Sequence, residues 1–115
     1  MRKKSKEEID QISTILIKEL TDKSELNIKR IILYGSYARG EADDYSDMDV
    51  MVLCDNREEE LDKKRYSVNS IGSDISLDND IDIELKIKDV AQFNEWLDVV
   101  PFYQNVIKEG VVLYE

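Results

Sequence analysis

Ile31-Ile32-Leu33-Tyr34-Gly35-Ser36-Tyr37-Ala38-Arg39-Gly40, followed by Ser46-Asp47-Met48-Asp49-Val50-Met51-Val52, is the stretch on which the fold of this chain turns. Ile28 to Tyr34 is short and rich in Ile, Leu and Tyr, the composition of a buried strand. Gly35-Ser36 stops it. Ala38 to Asp47 is polar and turn-rich, and Met48, Val50 and Val52 then alternate with Asp49, Met51 and Leu53 in a second strand that ends near Cys54. Side chains two apart on a strand share a face, so Asp47 and Asp49 present two carboxylates on one side, close enough to share hard divalent cations. Gly35 has no Cβ to hold a phosphate away from the backbone. Ser36 adds a hydroxyl and, with neighbouring N–H groups, a small anion-binding nest before a short helical turn. A pocket with one phosphate-binding and one metal-binding side suits phosphoryl-type transfer, which depends on positioning and charge neutralisation.

Outward from this centre the pattern alternates between helix and strand. Ser5-x-x-Glu8 reads as a capping box, and Ile9, Ile12, Leu16 and Leu20 follow at helical spacing, predicting a helix from about Lys6 to Leu20. Asn56 to about Leu77 carries two signals. Leu61, Val68, Ile71 and Ile75 suit a helix face, whereas Gly72 and the Ser and Asn content oppose one. Ile81, Ile83, Leu85 and Ile87 alternate with Asp82, Glu84, Lys86 and Lys88, a strand with one apolar and one charged face. Asp89 caps a helix carrying Val90, Phe93, Trp96 and Leu97; Pro101 opens a last helix and Gly110 closes it; Val111 to Tyr114 is a terminal strand. Phe93, Trp96, Phe102 and Tyr103 are expected between helix and sheet, and Cys54 in the core. The sum is an α/β (α+β) fold, a small mixed sheet of three or four strands flanked by helices, in one domain over residues 1–115.

Composition removes several function classes. A chain of 115 residues suits one domain. No apolar run approaches the roughly 18–20 residues of a membrane span. The basic start Met1-Arg2-Lys3-Lys4 is followed by Glu7, Glu8 and Asp10 rather than an apolar run, so a cytoplasmic location is expected. One cysteine excludes a disulfide framework or a zinc cluster. The absence of histidine excludes imidazole bases and ligands, leaving carboxylates, hydroxyls, lysines and arginines for any chemistry. A net charge of −10 argues against nucleic-acid or membrane binding by this chain alone. It does not argue against nucleotides, whose phosphates a metal ion can bridge to carboxylates.

Leu33-Tyr34-Gly35-Ser36-Tyr37-Ala38-Arg39-Gly40-Glu41 with Ser46-Asp47-Met48-Asp49 resembles the signature of the polymerase-beta-like nucleotidyltransferase superfamily. More narrowly, it is similar to the minimal nucleotidyltransferases, small prokaryotic proteins often encoded beside a HEPN-domain partner. The order of elements and the ending Phe102-Tyr103…Glu109-Gly110-Val111…Tyr114-Glu115 extend the similarity over most of the chain. The resemblance implies a nucleotidyltransferase fold and ATP, or another NTP, as substrate. It implies two Mg²⁺ ions on Asp47 and Asp49, and a third carboxylate, Asp82 with Glu84 as alternate, that holds one ion and helps deprotonate the attacking hydroxyl. Gly35, Ser36 and Arg39 would form the nucleotide-binding side. It further implies transfer of NMP, AMP above all, to a hydroxyl acceptor with release of pyrophosphate. A HEPN-domain protein, or a second copy of the chain, is the implied partner, which would make this chain an antitoxin. Two alternatives stand beside that reading: a nucleotide-binding module that neutralises its partner by binding, and the catalytic subunit of a small-molecule nucleotidyltransferase.

Overall fold

The structure is a computed structural model and describes residues 2–115. Its elements run α1 (Lys6–Lys23), β1 (Ile28–Tyr34), α2 (Ser36–Arg39), β2 (Met48–Cys54), α3 (Glu58–Asn79), β3 (Ile83–Asp89), α4 (Val90–Trp96), α5 (Pro101–Glu109) and β4 (Val111–Tyr114). The four strands form one mixed sheet in the order β3-β2-β1-β4. β1 pairs antiparallel with β2 and β4, and β2 pairs parallel with β3 through the α3 crossover. This is the mixed, helix-flanked sheet expected from the sequence.

The local signals at the helix ends act as read. Ser5 Oγ accepts from Glu8 N at 3.1 Å while the Glu8 carboxylate accepts from Ser5 N at 2.9 Å, the reciprocal box that starts α1. Asp89 accepts from Ala91 N at the start of α4, and Pro101 and Gly110 bracket α5. Boundaries depart from expectation in two places. α1 continues three residues past Leu20 to Lys23, because Glu19–Lys23 and Lys18–Asp22 ion pairs at one-turn spacing carry the helix through its polar end. β3 begins at Ile83, two residues later than the alternation suggested, so Asp82 precedes the strand instead of lying on it.

α3 resolves the segment with two signals in favour of a helix. Gly72, the residue that spoke against it, has a packing reason: a Cβ there would come within 2.9 Å of Leu85 Cδ1, so its absence brings α3 close to β3. One core lies between α1, α3 and the sheet, built on Leu16, Leu20, Leu61, Val68, Met48, Val50 and Val52. The opposite face carries a smaller core of Ile32, Tyr34, Met51, Leu53, Phe93 and Val106 beneath α4 and α5. β2 is therefore buried on both faces, which is why its inward and outward residues are both apolar past Asp49. Cys54 is buried as expected, and burial pushes its thiol up to about 12. The expected aromatic cluster divides: Phe93 is fully buried and stacks on Tyr103, whereas Trp96 and Phe102 remain substantially exposed. Among the described residues no helix is long and apolar enough to cross a membrane.

The smaller core is thin, and Phe93 is its only fully buried aromatic ring. Phe93→Ala should lower unfolding free energy by about 3–5 kcal/mol, read from urea denaturation, with α4 detaching before the rest of the sheet by hydrogen exchange.

Candidate functional site

At the end of β1 the chain must turn sharply into α2. Gly35 makes that turn with φ 75° and ψ −158°, a conformation that side chains with a Cβ rarely adopt. A second constraint coincides with the first: a Cβ at Gly35 would collide with Asp49 Oδ2. The Asp49 carboxylate thus stands directly against the bare backbone of Gly35. α2 is a single turn, closed by Arg39 N donating to the Gly35 carbonyl at 3.1 Å and by Gly40 in the left-handed region. The approach to Asp47 is shaped by Asp43, whose carboxylate accepts from Tyr45 N at 2.9 Å and whose own N–H donates to Ser46 Oγ at 2.9 Å.

Strand register then sets the neighbours of Asp49. Tyr34 pairs with Asp49 across β1–β2, and Asp49 pairs with Glu84 across β2–β3. Paired residues share a face, so Tyr34, Asp49 and Glu84 form one row over three strands. Asp82 lies one step outside this row. Its carbonyl accepts from Met48 N at 2.8 Å, which places it beside the entry to β2, next to Asp47. Asp47, Asp82 and Glu84 line one open cleft of about 500 Å³, with Ser73 and Ser76 of α3 on its far wall.

The electrostatics identify Asp49 as the strained member. Its pKa is raised, first by partial burial, then by the charges of Glu84 and Asp47; Lys86 and Arg39 oppose the shift without cancelling it. Glu84 is held by Lys86 Nζ at 3.3 Å, whereas no cation pairs with Asp47, Asp49 or Asp82 among the described residues. Tyr34 is buried, and among the described residues its hydroxyl has no hydrogen-bond partner. Burial raises the Tyr34 pKa, and the carboxylates of Asp49 and Glu84 raise it further.

Of the residues singled out in the sequence, the structure brings Gly35 and Asp49 into contact and places Asp47, Asp82 and Glu84 around one cleft. Ser36 opens α2, with its carbonyl accepting from Glu41 N at 2.9 Å. Arg39 is engaged elsewhere: it donates to Glu41 and Glu109, each at 3.1 Å. Among the described residues no group of three or more carboxylate or thiol side chains is placed to hold one metal ion. The donor set nonetheless fits a hard divalent ion, since it consists of oxygen ligands carrying uncompensated negative charge beside a backbone free of Cβ. Two residues at the site were given no site role in the sequence reading. Tyr34 entered it as a strand residue and as part of the motif before Gly35, and the strand register sets it beside Asp49. Glu109, seventy residues from Arg39 along the chain, left no local signal.

The nucleotidyltransferase domain model matches residues 13–112. A Methanocaldococcus jannaschii protein with the provisional name protein adenylyltransferase MJ0604 is 32% identical over 98 residues, spanning 85% of this chain and 90% of that one. A chain of a toxin–antitoxin complex solved with AMP-PNP superposes with a TM-score of 0.61 at 23% identity, covering 89% of this chain and 72% of that chain. A chain of the complex between tri-AMPylated Shewanella oneidensis HEPN toxin and MNT antitoxin gives 0.56 at 21% identity, covering 91% and 71%. At these identities the two structural likenesses concern the fold.

Two outcomes follow from the geometry. Because the folded pKa of Asp49 lies above its unfolded value, its ionisation opposes folding; that opposition is absent below the ordinary carboxylate range and complete once pH exceeds the folded value. Asp49→Asn should therefore raise the thermal midpoint of the metal-free protein at neutral pH, with the gap to wild type closing on acidification in parallel melts. Gly35→Ala should instead destabilise the fold by about 1–3 kcal/mol in urea titration, through the strained turn and the displaced Asp49.

Proposed function

The chain belongs to the nucleotidyltransferase domain family, and from that premise we propose that it transfers AMP from ATP to a hydroxyl acceptor, with Mg²⁺ and release of pyrophosphate. One observation carries the reading: Asp49, crowded by Asp47 and Glu84 and short of cations, faces the Cβ-free backbone of Gly35. Asp47, Asp49 and Asp82 would hold two Mg²⁺ ions. When bound, these neutralise the triphosphate and make its α-phosphorus more electrophilic.

The chain's own residues do the positioning. Gly35 leaves room for phosphate oxygens, and the Ser36 hydroxyl at the start of α2 donates to them. Arg39 reaches the triphosphate by exchanging Glu41 or Glu109 for phosphate. Both pairs are solvent-exposed and therefore weak, so a multiply charged phosphate competes well. Asp82 takes the acceptor proton as the hydroxyl oxygen bonds to the α-phosphorus and the bond to the pyrophosphate oxygen breaks. Glu84, which lines the same cleft and lies in register with Asp49, stands as the alternate base.

A protein acceptor suits a chain of net charge −10 better than RNA does. The name of the M. jannaschii relative and the toxin–antitoxin complexes among the structural neighbours support a side-chain hydroxyl on a HEPN partner, with this chain as antitoxin. A second reading, in which the chain neutralises its partner by binding alone, draws support from Arg39 being held in two ion pairs. Labelled ATP separates the two, since transfer leaves nucleotide covalently on the partner and masking leaves none.

In single-turnover transfer, Asp49→Asn should abolish activity, and Asp82→Asn should slow it about 10²-fold or more, the scale of a lost general base. Glu84→Gln should be comparatively mild. The reverse ranking of the last two would move the base into the row Tyr34–Asp49–Glu84.

A further inference from the structure

Tyr34 carries a polar atom that nothing in the described residues answers. The residue is 8% exposed, and its hydroxyl is the one buried side-chain polar atom among them without a hydrogen-bond partner. Packing alone does not require that hydroxyl. The ring belongs to the smaller core with Ile32, Met51 and Phe93, and Phe102 of α5 stands edge-on to it, 5.6 Å between centroids and 78° between planes. A phenylalanine would fill the same space at less cost, because a hydroxyl buried without a partner loses its hydration with nothing in return. An orphan of this kind asks for an acceptor.

Strand register supplies one. Tyr34 and Asp49 are the last cross-strand pair of β1 and β2, and they share a face. The Cβ atoms of such a pair lie about 4.5–5.5 Å apart, within reach of an aromatic side chain. Asp49 stands with Oδ2 against the bare backbone of Gly35, and among the described residues no donor bonds to its carboxylate. A carboxylate that ligates a metal is ordinarily hydrogen-bonded in turn, which fixes its orientation and sustains the affinity of the site. An unpartnered donor and an unpartnered acceptor are therefore neighbours where β1 enters its turn. Glu84 lies one strand further along the same row, so Asp49 is the nearer acceptor.

We propose that Tyr34 is a positioning residue, whose hydroxyl donates to the Asp49 carboxylate when Asp49 takes a divalent ion and holds it in its ligating orientation. Tyr34 acts through Asp49 and touches neither nucleotide nor acceptor. The inference rests on the reading of Asp49 as a ligand of Mg²⁺.

The test compares the full chain with Tyr34→Phe, which lacks the hydroxyl alone. In urea titration without metal, Tyr34→Phe should unfold at the wild-type midpoint or above it, since it removes an unanswered polar atom. Its affinity for the Mn²⁺ complex of ATP, followed by water-proton relaxation, should nevertheless fall about tenfold or more, the scale of a lost hydrogen-bond partner to a metal ligand. A merely structural tyrosine would not move the two readouts in opposite directions. In protein labelled with ¹³C at tyrosine Cζ, the resonance missing from Tyr34→Phe should shift when Mg²⁺ and ATP are added to wild type. A lower urea midpoint, unchanged affinity or an unmoved resonance would each overturn the proposal. So would a Tyr34→Phe effect that vanishes in a Glu84→Gln background, because the hydroxyl would then belong to Glu84. Asp49→Asn tells the two possible failures apart. Wild-type affinity in Asp49→Asn ends the ligand reading and the proposal together, whereas a loss there beside none in Tyr34→Phe ends the positioning role alone.

Discussion

The contact between the Gly35 backbone and the Asp49 carboxylate is the constraint around which this molecule is organised. Two strands meet there, one ending in a turn that only glycine makes comfortably and one carrying a charged residue, Asp49, second in an otherwise apolar run. Burying a carboxylate partway costs stability unless a cation or donor answers it. Nothing in the described residues does so completely, and two further carboxylates add to the repulsion. A fold that retains such an arrangement keeps electrostatic energy stored where β1 turns into α2.

That arrangement is tolerable because β2 is held from every direction. It has a strand on each side and a core on each face, so Met48 to Cys54 cannot shift to relieve Asp49. Close packing transmits the constraint outward. Gly72 lets α3 lie near β3, which fixes the strand that carries Glu84 and the wall of the cleft beside Asp82. On the other face, Phe93 and Tyr103 hold α4 and α5 against the sheet, and α5 in turn delivers Glu109 to Arg39.

The carboxylate cleft is short of cations, in keeping with a chain that is strongly acidic as a whole. Such local imbalances persist in low-dielectric surroundings, where they are expensive, and are damped where solvent screens them. The exposed pairs of Arg39 belong to the second kind. Asp49 belongs to the first.

Periodicity and end signals in the sequence determined most of the fold. Ser5, Asp89, Pro101 and Gly110 mark helix ends through interactions within a few residues, and the apolar runs at 28–34 and 48–54 read as strands because their composition fits no other element so well. Gly35, Ser36, Asp47 and Asp49 were legible for the same reason: their chemistry is local in the chain. What needed the tertiary structure was everything set by strand pairing or helix docking. The choice of helix for residues 58–79 depended on Leu85 filling the space that Gly72 leaves. The start of β3 at Ile83, and with it the position of Asp82 outside the row formed by Tyr34, Asp49 and Glu84, depended on the parallel register with β2. The partners of Arg39 depended on which elements fold back over it. Local chemistry is written in neighbouring residues; register, docking and desolvation arise only when distant segments meet, and a single sequence carries no mark of those meetings.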